Sequence, residues 1–116
     1  MKLHGIVNCD TVKKARAWLD ARGIAYQWVD FRKAPPAIGD LARWCRAVGW
    51  ETLLNRRGTT WRALDDAAKA AVVDERSAIA LMAAQPTLIK RPVVEAHGDV
   101  VVGFSEARYA ARFARA

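Results

Sequence analysis

Between Lys2 and Phe31 the chain encodes a strand, a helix and a second strand with almost nothing between them. Lys2–Val7 is an apolar strand. A helix opens near Thr11 and ends before Gly23, a residue suited to the position just past a helix. Ile24–Phe31 is the second strand. Links this short leave one geometry, a right-handed crossover, so the two strands run parallel. The helix is amphipathic: Val12, Ala15, Trp18 and Leu19 share a face, while Lys13, Arg16 and Asp20 lie mostly elsewhere.

Pro35-Pro36 then stops regular structure. Asp40 is placed to cap a second helix through Val48, with Leu41, Trp44, Cys45 and Val48 on one stripe and Gly49 at its end. Leu53–Trp61 is turn-rich and basic. Asp65–Val73 and Ser77–Ala84 read as two more helices, the second ended by Pro86. The last third changes character. Thr87-Leu88-Ile89 leads through Lys90-Arg91-Pro92 to Val93-Val94-Glu95, and His97-Gly98-Asp99 turns the chain into Val100–Phe104, a β-hairpin. Ser105 caps a last helix, Glu106–Ala114. The order βαβ, helical insert, ββα predicts an α/β fold, a four-stranded mixed sheet with helices on both faces. At 116 residues the chain is expected to be one domain, 1–116, with a helical insert at about 38–85.

Cys9 stands where the first strand meets the first helix. A thiol there faces the positive end of the helix dipole and several unpaired backbone N–H groups. Both favour the thiolate, the form of sulfur that attacks electrophiles, and Lys13 adds positive charge one turn on. The alternative is a small buried apolar residue at a strand end. Cys45 shares its stripe with Leu41, Trp44 and Val48 and is read as core. To serve as a distant resolving cysteine it needs a Cα–Cα distance to Cys9 below about 7 Å. The two cysteines have no metal-ligand spacing, and His4 and His97 add no cluster, so no metal site is expected. Trp18 and Trp44 lie on apolar helix faces and Trp28 follows the alternation of the second strand. Trp50 and Trp61 flank the basic segment.

A net charge of +7 points to anionic partners. Arg32-Lys33 and Arg56-Arg57 are either solvated surface or cations that draw such a partner toward the thiol. Nucleic acid is disfavoured, because the charges are dispersed and no recognition helix or RNA-binding aromatic signature stands out. Pro92 marks an edge, a strand start or a cis turn. On spacing alone Arg91 is a solvated cation; the functional reading sets its guanidinium beside Cys9, able to hold an oxyanion or carboxylate in a fork. The chain shows no signal-peptide pattern and no apolar run long enough for a bilayer. The expectation is a cytoplasmic protein with free thiols and no membrane partner.

Four segments carry a family resemblance: Gly5–Arg16, Leu53–Arg62, Pro86–Val93 and Val102-Gly103-Phe104. In this order, over nearly the whole chain, they resemble the arsenate reductase-like (ArsC) family in its YffB-type branch. The resemblance implies a thioredoxin-like fold with an inserted helical subdomain. It implies that Cys9 is the active thiol, Pro92 the cis proline facing it and Arg91 the adjacent oxyanion-binding arginine. True arsenate reductases of the family surround the thiol with three arginines. Arg91 matches one; Asn55, followed by Arg56, and Gly103 stand at the other two. The related Spx-type regulators carry a CxxC switch, and here Val12 occupies its second position.

The leading expectation is a glutathione-dependent thiol reductase. Cys9 forms a mixed disulfide with glutathione, which a second glutathione or a glutaredoxin resolves. The helix N-terminus and Arg91 are expected to lower the Cys9 pKa. Asn8 and Thr11 support the sulfur by hydrogen bonds and Lys13 by charge; Arg56 and Pro92 complete the substrate-binding set. No tightly bound cofactor is implied, glutathione being a co-substrate, and the chain is expected to be a monomer. The alternatives are a glutaredoxin-coupled arsenate reductase and a non-enzymatic RNA polymerase-binding regulator.

Overall fold

A computed structural model describes residues 1–113. Its contacts divide the chain into two compact units, Met1–Asp30 with Arg91–Ala116, and Phe31–Lys90 between them.

The first unit holds the sheet. Strand β1 (Lys2–Gly5) is followed by helix α1 (Asp10–Ala21) and strand β2 (Gln27–Asp30). After the second unit come β3 (Val93–Ala96), β4 (Asp99–Val102) and α7 (Glu106–Phe113), the remaining helices α2–α6 belonging to the second unit. The strands order β2-β1-β3-β4, with β1 parallel to β2 and antiparallel to β3. This is the four-stranded mixed sheet that the strand pattern predicts.

Both predicted N-terminal strands are shortened, for a local reason. Ile24 donates its N–H to Leu19 and Gly23 to Asp20, so the chain leaving α1 first satisfies that helix's carbonyls and reaches β1 only at Gln27. At the other end β1 stops at Gly5 rather than Val7. A Cβ on Gly5 would lie 2.9 Å from the Val12 side chain, so glycine is what lets β1 and α1 approach. In the β3–β4 turn, His97 and Gly98 have φ of 52° and 82°, the pair of positive angles a two-residue type I′ hairpin needs.

Side chains of α1 and α7 meet over one sheet face. Val12, Ala15, Trp18 and Leu19 pack with Leu3, Val94 and Val101 and with Tyr109 of α7. On the opposite face His4 Nε2 lies 2.8 Å from Glu95 Oε1. Arg16 ties α1 to β2. Its guanidinium carbon sits 4.3 Å from the Trp28 ring centroid, and its Nε donates to the Tyr26 hydroxyl at 3.0 Å. Arg16→Ala is therefore expected to cost about 1–2 kcal/mol, from the lost stacking and hydrogen bond together. Arg16→Lys should recover little of it, since an ammonium lacks the flat face; urea denaturation of the three proteins measures this.

The second unit is helical: α2 (Ile38–Val48), α3 (Trp50–Leu53), α4 (Thr59–Ala63), α5 (Asp66–Ala70) and α6 (Glu75–Ala84), then a 3₁₀ turn at Pro86–Leu88. Phe31, Leu41, Trp44, Leu53, Met82, Leu88 and Ile89 are its largest fully buried side chains. Several predicted boundaries move. Asp40 caps α2 from inside its first turn: Ala37 is the N-cap residue, and its N–H donates to Asp40 Oδ2 at 3.0 Å. Ser77 likewise lies inside α6, which begins at Glu75 rather than at Ser77. Its Oγ accepts from Val73 and Asp74 while Asp74 Oδ1 accepts from Ser77, a reciprocal cap that holds Val73 outside the predicted Asp65–Val73 helix and makes Asp74 the N-cap of α6. Ser105 caps α7 as expected, its Oγ accepting from Arg108 N–H. Ala114, the predicted last residue of that helix, lies outside the described residues.

Candidate active site

Cys9 is the N-cap residue of α1, with φ −129° and ψ 120°. Its carbonyl accepts the first helical bond, from Lys13 N–H at 2.9 Å. Its side chain makes no capping hydrogen bond, so the sulfur is left uncommitted at the end of the helix where backbone N–H groups lack helical partners. The thiol is free and half-buried, packed on its inner side against the α1 core. Asn8, Thr11 and Lys13 are exposed around it. Val7, which sequence reasoning passes over as the end of a strand, lies instead in the loop, 47% exposed two residues before the thiol. Only the glycine at position 5 hinted that the chain leaves the sheet so early.

Arg91 and Pro92 reach this end of the sheet through strand register. The β1–β3 ladder pairs His4 with Val93, so Pro92 comes opposite Gly5, where β1 ends and the Cys9 loop begins. The Arg91–Pro92 peptide is cis, and the Pro92 carbonyl accepts from Gly103 N–H at 2.8 Å. Gly103 has φ of 81°, a conformation that favours glycine at this point. Pro92 is buried and Arg91 half-buried. The sheet unit thus contains Cys9, Asn8, Thr11, Lys13, Arg91 and Pro92.

Arg56 belongs to the other unit. It is exposed, its guanidinium carbon 5.7 Å from the Trp50 ring centroid. Asn55 shapes the same loop. Its Oδ1 accepts from Arg57 N–H at 3.0 Å, a side-chain turn, and its amide leaves no room for a Cβ on Gly58. The loop is anchored where Asn55 N–H donates to Leu88 and Lys90 N–H to Leu53. Asn55 therefore holds its own backbone, a role that an arginine at this position could not copy.

Cys45 is the opposite kind of thiol. It is 2% exposed on α2. Burial, reinforced by the Glu75 carboxylate, pushes it up to about 11. It stays neutral, and unreactive, through the physiological range. Among the described residues no group of three or more His, Cys, Asp or Glu side chains is placed to hold a metal ion. No described helix is long and apolar enough to cross a membrane.

The family model described as the ArsC family matches residues 4–112. The solved structure of a YFFB protein is 52% identical, with a TM-score of 0.91 and coverage of 95% of this chain and 96% of its own. An arsenate reductase (ArsC) related protein from Brucella melitensis is 47% identical, with a TM-score of 0.75 and coverage of 97% and 92%. An uncharacterized protein of Haemophilus influenzae is 41% identical over 112 residues, 97% of each chain.

Proposed function

The chain belongs to the ArsC family, with its thioredoxin-like α/β fold, and on that premise we propose that it is a glutathione-dependent thiol reductase with Cys9 as nucleophile. The observation that carries this reading is the uncommitted Cys9 sulfur at the N-terminus of α1. Partial positive charge and backbone N–H groups gather at this helix end. The Cys9 thiolate attacks one sulfur of a disulfide between glutathione and a substrate thiol. The S–S bond breaks as the Cys9–glutathione disulfide forms, and the substrate leaves as a thiolate that takes a proton from water. A second glutathione thiolate, or that of a glutaredoxin, then attacks the glutathione sulfur of the mixed disulfide. Cys9 thiolate is released, and the displaced pair leaves as a disulfide.

Glutathione carries two carboxylates and one ammonium, so it is a net anion meeting a chain of net charge +7. Arg91, beside Pro92, is the residue we assign to a glutathione carboxylate, in a two-bond fork. Asn8, Thr11 and Lys13 line the approach to the sulfur. Arsenate reduction is the second reading, favoured by the Brucella melitensis relative described as arsenate reductase related. It is the weaker one here. Asn55 is engaged in its own turn and Gly103 has no side chain, so the oxyanion is left with Arg91.

Intact-mass spectrometry after incubation with oxidised glutathione, from pH 5 to pH 9, tests the proposal. One adduct per native chain is expected, mapping to Cys9 and sparing the buried Cys45. No adduct at any pH, or an adduct on Cys45 alone, overturns it.

A further inference from the structure

We propose that Tyr109, with Arg108 beside it, is a positioning residue for the glutathione site: its hydroxyl stands in for the backbone N–H that Pro92 lacks, and so holds the Gly103–Pro92 pair next to Arg91. The role rests on the thiol-reductase reading of Cys9. In an antiparallel ladder, pairs that exchange two N–H···O=C bonds alternate with pairs that exchange none. β3 and β4 pair Val93 with Val102, Val94 with Val101, Glu95 with Val100 and Ala96 with Asp99. One step further in this register Pro92 comes opposite Gly103, and Gly103 N–H donates to the Pro92 carbonyl at 2.8 Å. Pro92 and Gly103 are therefore a bonded pair, but with one bond where a regular pair has two. Proline has no N–H to return to the Gly103 carbonyl.

A buried carbonyl left without a donor destabilises a fold, and here the missing donor comes from α7. The Tyr109 hydroxyl donates to the Gly103 carbonyl at 2.8 Å, in a buried position. The tyrosine ring meets those of Trp18 and Phe104 edge to face, which aims the hydroxyl. Val102, outside the bonded pairs, turns its carbonyl away from β3, and Arg108 Nη1 donates to it at 2.9 Å. Successive residues of α7 thus hold successive carbonyls at the end of β4.

The consequence for the site runs through the backbone. Arg91, assigned above to a glutathione carboxylate, directly precedes Pro92. The carbonyl is the one backbone hydrogen-bonding group that Pro92 has, so Gly103 fixes it from the β4 side. Gly103 has no side chain to pack, so its N–H and C=O are what anchor it. Loss of the Tyr109 hydroxyl loosens the place where Arg91 joins the strand. It leaves the sulfur alone, because Cys9 sits at the start of α1.

The test compares two reagents at one sulfur, by intact-mass spectrometry over time. Iodoacetamide is small and neutral and needs only the Cys9 thiolate; oxidised glutathione also needs the carboxylate site. Tyr109→Phe is expected to slow glutathione adduct formation about three- to tenfold, the equivalent of one hydrogen bond. Its alkylation by iodoacetamide, and the pH profile of that reaction, should match the wild type. Amide hydrogen exchange should quicken at Gly103 and not at Val101. Arg16→Ala, a variant of comparable stability cost that does not touch Gly103, should slow neither reaction. Should Tyr109→Phe fail to fold, Arg108→Met, which frees the Val102 carbonyl, is read the same way. A folded variant that is glutathionylated at the wild-type rate overturns the proposal. So does equal slowing with both reagents, or equal slowing in Arg16→Ala. A wild type that iodoacetamide alkylates at Cys9 and oxidised glutathione leaves unmodified overturns the reductase reading, and this role falls with it.

Discussion

Cys9→Ser is expected to lower glutathione-dependent thiol transfer by roughly a thousandfold or more, to the uncatalysed background, while leaving the protein folded and slightly more stable. The two effects have opposite signs because they come from different properties of one position. A serine hydroxyl stays protonated near neutral pH, whereas the proposed reaction needs an ionised, polarisable sulfur. As an N-cap, however, serine is among the preferred residues, since its oxygen can accept an N–H of the first turn. Cys9 makes no such bond. Filling it should be worth about 0.5–1 kcal/mol, less whatever packing the sulfur contributes to the α1 core. A thiol-transfer assay with a small mixed disulfide, run beside a thermal melt, reads both quantities. Full activity in the variant would remove Cys9 from the mechanism. An inactive variant with a markedly lower melting point would instead mark the thiol as a packing residue.

Tyr109 is the position where a single substitution should do most damage to the fold. It is fully buried, with ring centroids 5.7 Å from Trp18, 4.8 Å from Phe104 and 5.2 Å from Phe113, all edge to face. Its hydroxyl donates to the Gly103 carbonyl at 2.8 Å, tying α7 to the end of β4. Tyr109→Ala removes the ring and leaves a cavity, at a cost of about 3–5 kcal/mol. That is a large part of the roughly 5–15 kcal/mol that holds a typical domain together. Tyr109→Phe keeps the ring and strands the buried carbonyl, for about 1–3 kcal/mol. The hydroxyl also carries a pH signature. Burial raises its pKa above the ordinary tyrosine value, the neighbouring Arg108 opposing in part. The folded state thus holds this proton more tightly than the unfolded chain does. The associated stability is intact below about pH 10 and shrinks as pH climbs beyond it. Denaturant melts of wild type and Tyr109→Phe on both sides of about pH 10 should show that alkaline loss in the wild type and a smaller one in the variant. Equal losses would place the alkaline sensitivity in other groups.

Much of the frame is local and was legible as such. The parallel crossover follows from links too short for any alternative. The hairpin follows from two residues, His97-Gly98, that adopt positive φ together. The inert character of Cys45 follows from its apolar stripe, and the position of Cys9 at a helix start follows from the residues either side of it. The helix boundaries of the insert were less legible. Capping is decided by which side chain reaches which N–H, and Asp40 and Ser77 each cap from within the helix they were expected to precede or begin.

What periodicity leaves out is the partner. An apolar stripe says that a face will be covered, and hydrogen-bonding capacity says that a group will be satisfied; neither says by what. Strand register brings Pro92 to the end of β1, 83 residues away in sequence from Cys9, a juxtaposition that only the folded ladder makes. A side-chain turn to Arg57 gives Asn55 a structural task where the family pattern led one to look for a ligand. Packing around Tyr109 joins α1 and α7 over one sheet face. The alternation of the β3–β4 ladder aims the Val102 carbonyl outward, and the pitch of α7 sets Arg108 on it. The sequence by itself determined the strands and helices of the sheet unit and the place of Cys9 at a helix start, because those depend on neighbours within a few residues. The tertiary structure decided which groups meet at the end of the sheet and along its edge, because that depends on register and packing between segments far apart in the chain.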